Sequence, residues 1–317
     1  MINIAIALNK NLLLQSCVLL ASIAVNNPDE AVRVYVLHSE LTDEDIELMQ
    51  KTIDDYYSYQ IIPVFLERNL FSDLPEKSYW SLEAYYRLML TDILPDDVSR
   101  ILYLDIDIIV NKNISNFYAS DFKGSLLISS EDPIFDPSKQ SPVVTLFEDK
   151  IDDGFKYFCS GMILYDIAGL RQKNYTFKKY IKVFSDISDK VECPDQDLLN
   201  YIHWRDVKLV DNSKYGVFAK TAHLAGRTYS DLKENAAIIH YAGPNKPWTV
   251  NLTSYDIEKI WWEYAKITPF YYQLLEQVFY NHLDSSFTED FIRKLNDENN
   301  ELKNIIFKMN EVFRKMQ

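Results

Sequence analysis

The segment ILYLDIDIIV at residues 101–110 constrains the fold more than any other part of the chain. Apart from two aspartates the run is apolar, which is typical of a β-strand buried in a sheet. Burying a carboxylate without a partner is costly, so Asp105 and Asp107 require an explanation. Because side chains alternate along a strand, we expect the two to share one face, with their roots roughly 6–7 Å apart.

Two carboxylates on one face are suited to a hard divalent cation. At the carboxyl end of a parallel strand they would open into the crevice where such sheets bind ligands. Two other interpretations stay open. The aspartates could meet solvent or an arginine at a strand end. The run also resembles the first motif of haloacid-dehalogenase-type phosphatases, with Asp105 as nucleophile and Asp107 as acid and base.

The charge balance limits the class of ligand. The chain has 33 Lys and Arg against 47 Asp and Glu, a formal net charge of −14. Such a surface repels nucleic acid and anionic lipid. It would also repel a nucleotide unless a cation or a local basic residue intervenes, which agrees with a cation at the paired aspartates.

Strand-like and helical patterns alternate through the first part of the chain. This rhythm predicts an α/β domain with a largely parallel sheet. Thr42, with Asp45 three residues on, is predicted to cap the second helix. The polar stretch 132–156 is predicted to be a functional loop. The predicted strands are 2–8, 32–39, 61–67, 101–110, 125–131, 161–167, 206–211 and 236–243, and the predicted helices are 11–25, 41–57, 78–94, 170–187 and 254–283.

The cysteines and the first apolar helix bear on location. Cys17, Cys159 and Cys193 are odd in number and widely spaced, so they predict neither a zinc site nor a disulfide framework and favour a reducing cytoplasm. The apolar stretch 11–25 is shorter than the roughly 20 residues needed to span a bilayer. It is predicted to be a buried helix rather than a signal or membrane segment.

A second motif, IHYAGPNKPW at 239–248, adds chemistry to the first. His240 at the end of an apolar strand can complete a metal site built by two carboxylates. Gly243 lets the backbone approach a phosphate closely, and Lys246 supplies a point charge for it. Taken singly, His240 would be a core histidine and Lys246 a solvated lysine. Their combination after the D-x-D strand favours a phosphate-bearing ligand.

Over about residues 1–250 the sequence resembles glycosyltransferase family 8, retaining GT-A enzymes that include bacterial lipopolysaccharide galactosyltransferases and glycogenin. LYLDIDIIV resembles the family's metal-binding strand, and HYAGPNKPW its H-x-G-x-x-K-P-W signature. AYYRLML (84–90) resembles the helix with a donor-binding arginine, and DQDLLN (195–200) the segment beside the anomeric carbon. The resemblance implies a GT-A domain over 1–250, Rossmann-like with a mostly parallel mixed sheet flanked by helices, and a C-terminal α-helical appendage over 251–317.

The resemblance also implies a UDP-sugar donor and Mn²⁺, with Mg²⁺ as the alternative ion. Asp105, Asp107 and His240 take the place of the metal ligands. Asp195, Gln196 and Arg87 take the catalytic positions, and whether Asp195 or Gln196 acts as a nucleophile stays open against same-face attack by the acceptor. The residues that the resemblance places at the donor and its metal are Ala7, Asn9, Asn11, Tyr79, Arg87, Asp105, Ile106, Asp107, His240, Gly243 and Lys246.

Two positions depart from the family's pattern. The segment Asn9–Asn11 (NKN) stands where the family often has D-D-N, which affects recognition of the base. Cys159 in YFCSGMIL stands where the family commonly has an asparagine that touches the donor sugar. The position could alter the choice between galactose and glucose, or hold a packed, inert thiol.

The predicted function is metal-dependent, retaining transfer of a hexose, galactose ahead of glucose, from a UDP-sugar to a glycan on a glycoprotein, polysaccharide or glycolipid. The alternatives are a haloacid-dehalogenase-like phosphatase and a noncatalytic carbohydrate-binding protein. We expect a cytoplasmic protein, with peripheral contact at the inner membrane face as the alternative.

Residues 287–317 are charged and periodic. Apolar residues repeat every seven positions along two lines, which predicts either a homodimer seam or packing within the chain. Glu298 interrupts one line. The seam positions are Phe291, Ile305 and Val312 on one line and Leu295, Leu302, Met309 and Met316 on the other.

Overall fold

The structure is a computed structural model that describes residues 1–56, 58–72, 74, 81–139, 141–151, 154–249 and 255–283, with scattered positions between 293 and 306. Tyr79, a predicted donor-binding residue, lies outside these ranges.

Within these ranges the strands form two sheets. The strands are β1 (Ile2–Ala7), β2 (Val32–His38), β3 (Tyr59–Phe65), β4 (Arg100–Leu104), β5 (Ile108–Val110), β6 (Leu127–Ser130), β7 (Met162–Asp166), β8 (Val207–Val210), β9 (Val217–Phe218) and β10 (Ile238–His240).

The larger sheet has seven strands in the order β3-β2-β1-β4-β7-β6-β8. β7 runs antiparallel to both of its neighbours, and the other pairs are parallel. The smaller sheet has the order β5-β10-β9. This arrangement confirms the predicted α/β fold with a mostly parallel mixed sheet.

Helices cover both faces of the larger sheet, as the alternation of strands and helices predicts. Thr42 caps the second helix as predicted: its side chain accepts from the Asp45 backbone, and the Asp45 carboxylate accepts from the Thr42 N–H. The helices are α1 (Leu13–Asn26), α2 (Asp43–Lys51), α3 (Leu90–Ile93), α4 (Ser115–Tyr118), α5 (Pro142–Ile151), α6 (Ile167–Gln172), α7 (Phe177–Ile187), α8 (Pro194–His203), α9 (Ala219–Leu224), α10 (Tyr229–Asn235), α11 (Glu258–Ala265) and α12 (Tyr271–Leu283).

The first strand shows why its sequence is apolar at nearly every position. Ile4 and Ile6 pack into one core cluster, while Ala5 and Ala7 pack into another on the opposite face of the sheet. A parallel strand covered on both faces buries both sets of alternating side chains, so its sequence reads as a continuous apolar run.

The prediction of one continuous strand over 101–110 was wrong. β4 ends at Leu104, and β5 begins at Ile108 in the other sheet, where it pairs antiparallel with β10. Asp105 begins a turn closed by a hydrogen bond from the Ile108 N–H to the Asp105 carbonyl (3.2 Å). The turn places the two carboxylates outside the sheet, where other segments supply charged partners and offset the cost of burial.

Three other predicted elements differ in form. The predicted helix 78–94 is, in its described part, a 3₁₀ helix over Leu82–Met89 followed by α3. The predicted loop 132–156 contains α5, whose Leu146 and Phe147 are buried. The predicted helix 170–187 is broken between α6 and α7, at Asn174, which has a positive φ of 55°.

α11 packs directly on the main domain. Trp261 is fully buried in a cluster that also holds Val18 of α1 and Ile109 of β5. The Tyr264 hydroxyl donates to Oδ1 of Asn111 (3.1 Å), which follows β5. The chain around this helix therefore shares a core with the sheets.

The C-terminal part confirms one prediction and leaves another open. α11 ends at Ala265 and α12 begins at Tyr271, so the helical pattern breaks around Pro269 as predicted. Of the predicted seam residues, Leu302 is described and is 59% exposed; the others lie outside the described residues. In the ranges given above, every helix is too short or too polar to cross a lipid bilayer.

Replacing Trp261 tests the packing of α11. Trp261→Ala is expected to lower the free energy of unfolding by about 3–5 kcal/mol, because it removes a large buried side chain and leaves a cavity. The control Ile267→Ala, at a position 54% exposed, should change it by less than about 0.5 kcal/mol. Urea unfolding followed by circular dichroism measures both, and equal midpoints for the two variants would contradict the packing.

Candidate active site

The ends of several strands meet at one edge of the fold. β1 and β4 are parallel with Ala5 opposite Tyr103, so Ala7 and Asp105, each two residues further on, leave the sheet together. β6 points the same way and leads to Asp132. The carboxyl ends of parallel strands are where α/β sheets bind ligands. Ala7 and Asp105, two of the predicted site residues, therefore lie where this fold class is expected to bind ligands.

Asp105, Asp107 and His240 come together as predicted. Each offers one ligand atom, and these atoms all lie within 4.8 Å of one another. The register of the smaller sheet explains this: His240 is opposite Ile108, directly after the turn that holds both aspartates. Two separate segments of the chain thus form one acidic pocket with an imidazole.

Asp107 has two basic neighbours. Nε2 of His240 lies 3.1 Å from its Oδ1, and Nζ of Lys246 contacts its Oδ2. Burial acts to raise the pKa of Asp107, but these two groups lower it below its usual range. Burial acts to lower the pKa of His240, but Asp107 raises it well above its usual value.

Gly161 forms the wall of this pocket, and its role was not predicted. A Cβ at this position would lie 2.5 Å from Cε1 of His240 and 2.7 Å from Oδ2 of Asp105. The Gly161 carbonyl also accepts from the Asp105 N–H (2.8 Å). Any side chain would therefore displace two of the three candidate ligands. The chain has only 7 glycines, so a glycine at position 161 was a signal in the sequence that this position could need one.

Arg87 joins the two halves of the site. Its guanidinium is 2.7 Å from Oδ1 of Asp105 and 3.2 Å from Oδ2 of Asp195. It also donates to the Ser160 carbonyl (2.6 Å) and lies over the Tyr103 ring. Burial opposes its charge, yet Asp105 and Asp195 raise the pKa of Arg87 well above its usual value.

Asp195 and Gln196 lie in the first turn of α8, which begins with Pro194. Oε1 of Gln196 accepts from the Ser160 N–H (2.8 Å), and its Nε2 donates to Oδ2 of Asp132 (2.9 Å). These contacts fix the amide of Gln196 in one orientation. Asp132 is a second residue missed by the sequence analysis, although its place directly after a buried strand was a usable signal.

Asp197 stabilises the first turn of α8 through hydrogen bonds. Its carboxylate accepts from the Tyr157 hydroxyl and from the N–H groups of Glu192 (2.6 Å) and Cys193 (2.8 Å). Burial raises its pKa to about 6. All these contacts hold the chain around α8, so Asp197 anchors the helix start.

The predicted base-recognition segment follows β1. Oδ1 of Asn9 accepts from the Asn11 N–H (3.1 Å), and its Nδ2 donates to Oε2 of Glu83 (3.4 Å). Ala7 ends β1 and is buried, whereas Asn11 is exposed. The segment is therefore near the site, with the Asn9 amide fixed by Glu83.

Two further donor candidates differ in what they offer. The Ile106 side chain is buried in the core, which leaves its backbone groups for a ligand. Gly243 is exposed and has φ +95°, a conformation that favours glycine.

The donor set fits a divalent cation. Two carboxylates and one imidazole are the oxygen and nitrogen ligands that Mn²⁺ and Mg²⁺ sites use. Oδ1 of Asp107 is buried and accepts no well-directed hydrogen bond within the described chain, although His240 is close. Oδ1 of Asp107 and Nε2 of His240 are therefore both available as ligands of one ion.

Comparison with solved structures defines the class of the fold. The crystal structure of the galactosyltransferase LgtC in complex with donor and acceptor sugar analogues superposes with a TM-score of 0.71, covering 84% of this chain and 96% of that one at 23% identity. This chain therefore has the GT-A fold of that enzyme.

The sequence comparisons give the family. The model of glycosyl transferase family 8 matches residues 3–251, and the chain belongs to this family. It is 27% identical to a lipopolysaccharide 1,3-galactosyltransferase of Salmonella typhimurium over 78% of this chain and 72% of that enzyme. It is 25% identical to a lipopolysaccharide 1,2-glucosyltransferase of Escherichia coli over 78% of this chain and 73% of that enzyme.

The raised pKa of Asp197 predicts a pH effect on stability. The Asp197 carboxyl has a pKa of about 6 in the folded state, against an ordinary value of 3.8. The folded state therefore binds the carboxyl proton more tightly than the unfolded chain does. The contribution of Asp197 to stability therefore grows as the pH falls between about 6 and 4. Urea titrations measure the free energy of unfolding at each pH. The difference, wild type minus Asp197→Asn, should increase as the pH falls over that interval.

Asp211 provides the matched control. Its pKa is lowered, chiefly by the Ser213 hydroxyl. The corresponding difference for Asp211→Asn should decrease as the pH falls. A carboxyl group with a lowered pKa stabilises the folded state when it is ionised, and this contribution is lost as it becomes protonated. A decrease for Asp197→Asn as well would show that its carboxylate is not buried as described.

Proposed function

We propose that this protein is a metal-dependent, retaining glycosyltransferase that transfers a hexose from a UDP-sugar to a glycan on a glycoprotein, polysaccharide or glycolipid. The observation that carries the proposal is the meeting of Asp105, Asp107 and His240 beside Arg87 and Gln196, in a chain of this family. Galactose is the first candidate sugar and glucose the second, and the two relatives named above include one transferase for each.

Mn²⁺, or Mg²⁺ in its place, would be held by Asp105, Asp107 and His240. When bound, the ion would stabilise the negative charge that develops on the leaving diphosphate. The glycine at 161 supports this, since a Cβ there would lie 2.5 Å from Cε1 of His240 and 2.7 Å from Oδ2 of Asp105 and would push these two ligands apart. A cation also answers the electrostatic problem of a nucleotide approaching a protein of charge −14.

The cationic side chains would hold the phosphates. Nζ of Lys246 lies at the carboxylate of Asp107, so it is within reach of a diphosphate bound at the same ion. Gly243 precedes it in the same loop and lets the backbone come close to a phosphate. Arg87 is held by two carboxylates and is therefore oriented before the donor binds.

The α8 turn would face the sugar. The side-chain carbonyl of Gln196 is fixed by Ser160 and Asp132, so its dipole is set in place before an oxocarbenium-like charge develops. Asp195 is 2% exposed and paired with Arg87, and Asp197 is fully buried. Both carboxylates are thus poorly placed to attack an anomeric carbon, which favours same-face attack by the acceptor over a covalent intermediate on either.

Three further features stay predictions. They are a boundary near residue 250, a homodimer through the C-terminal helices, and a cytoplasmic location with contact at the inner membrane face.

The function is tested by hydrolysis of UDP-galactose and UDP-glucose without an acceptor. Release of UDP should require Mn²⁺, and Asp107→Ala should lower it by at least about 100-fold, because the variant removes a metal ligand. Asp121→Asn, an exposed carboxylate before β6, should leave the rate unchanged. Proton NMR of the first sugar released should show the α-anomer, as retention requires.

Other outcomes favour the alternatives. Phosphate release from simple esters without affinity for UDP would favour a phosphatase. Sugar binding that is indifferent to metal and nucleotide would favour a noncatalytic carbohydrate-binding protein.

Lys246→Gln should separate binding of the ion from binding of the nucleotide. The ammonium of Lys246 competes with a cation for Asp107, so the variant should bind Mn²⁺ alone about tenfold more tightly, or about 1.4 kcal/mol. It should bind UDP with Mn²⁺ more weakly, because a phosphate partner is lost. Isothermal titration calorimetry measures both, with Lys259→Gln on α11 as the control. A variant that weakens both steps would rule out the competition.

A further inference from the structure

Cys159 contacts the candidate metal ligand His240 on the Nδ1 side of its ring. Its Sγ lies 3.5 Å from Nδ1 of His240, and it accepts a hydrogen bond from the Gly161 N–H (3.3 Å). Cys159 is 2% exposed. The thiol is therefore directed at the imidazole and packed away from solvent.

The two nitrogens of His240 face different partners. Nε2 points towards the aspartates, with Asp107 at 3.1 Å. A histidine binds a metal through an unprotonated nitrogen, so a ligating Nε2 puts the ring proton on Nδ1. A hydrogen-bond acceptor at Nδ1 fixes that tautomer and the orientation of the ring. Sγ of Cys159 is in the place where such an acceptor is needed.

Direct roles for the thiol fit the structure less well. The three groups within 4.8 Å of one another do not include Cys159, which lies on the Nδ1 side of the ring. Cys159 is also 2% exposed, so its thiol is shielded from a substrate. The contact with the His240 imidazole is therefore the role that remains for the Cys159 thiol.

We propose that Cys159 is a positioning residue for His240: it accepts the Nδ1–H hydrogen bond and thereby aims the Nε2 lone pair at the cation held with Asp105 and Asp107. The inference rests on the proposed cation and adds a residue that acts through a ligand. It also gives Cys159 a role different from contact with the donor sugar.

The backbone at Cys159 is held independently of its thiol. Oγ of Ser129 lies within hydrogen-bond distance of the carbonyls of Cys159 (2.7 Å) and Met162 (2.8 Å), and the Cys159 N–H donates to the Ser130 carbonyl (3.0 Å). Ser129→Ala therefore loosens the same segment without touching His240, which makes it a matched control for purely structural effects.

The test measures Mn²⁺ affinity directly, from the electron paramagnetic resonance signal of free Mn²⁺ without nucleotide. Cys159→Ala should bind Mn²⁺ about 10-fold more weakly, the loss typical when the partner of a metal-bound histidine is removed. Cys159→Val, which keeps more of the volume but cannot accept, should show the same loss. Cys159→Ser, which can accept, should bind close to the wild-type value, and Ser129→Ala should do so as well.

The outcomes distinguish this inference from the proposed function. Wild-type Mn²⁺ affinity in both Cys159→Ala and Cys159→Val would overturn the positioning role while leaving the metal-dependent transfer intact. An equal loss in Ser129→Ala would overturn it too, since loosening of the segment would then explain the effect. A wild-type protein that binds no Mn²⁺ would overturn the proposed cation itself.

Discussion

The buried guanidinium of Arg87 is the interaction on which the geometry of the site depends. A charge that is 5% exposed has to be paired, because an isolated ion in the interior costs several kcal/mol. Asp105, from the turn after β4, and Asp195, from the first turn of α8, supply the partners. Both carboxylates are also candidate functional groups. The need to neutralise one cation thus holds the turn after β4 and the start of α8 in a fixed relation.

The remaining charges are balanced in the same way. Asp107 is paired with Lys246 and His240, so without ligands the pocket already carries its own cations. A divalent ion that binds there must displace the Lys246 ammonium from Asp107 and the proton from Nε2 of His240. A diphosphate that enters with the ion would give Lys246 a new anionic partner. This electrostatic argument connects the acidic composition of the chain to a donor that would bind together with its metal.

Parts of the site could be predicted because short motifs carry them. The aspartates at 105 and 107 stand out as polar residues in an apolar run, and His240 follows another such run. Their common location follows from the turn after β4 and from the register of the smaller sheet, where His240 is opposite Ile108. Gly161 and Asp132 were missed because their roles depend on what lies across from them in space. The break after Leu104 was missed because a turn between two apolar strands reads like one strand when both are buried.

The sequence by itself determined the α/β alternation, the strands buried on both faces, the capping of α2, and the residue types able to bind a cation and a phosphate. These are local properties, set by periodicity and by the chemistry of neighbouring residues. Only the tertiary structure decided which carboxylate pairs with which cation, and that Cys159 contacts His240 across 81 positions of sequence. Such pairings depend on distance and burial, which are fixed when segments remote in the chain pack against each other.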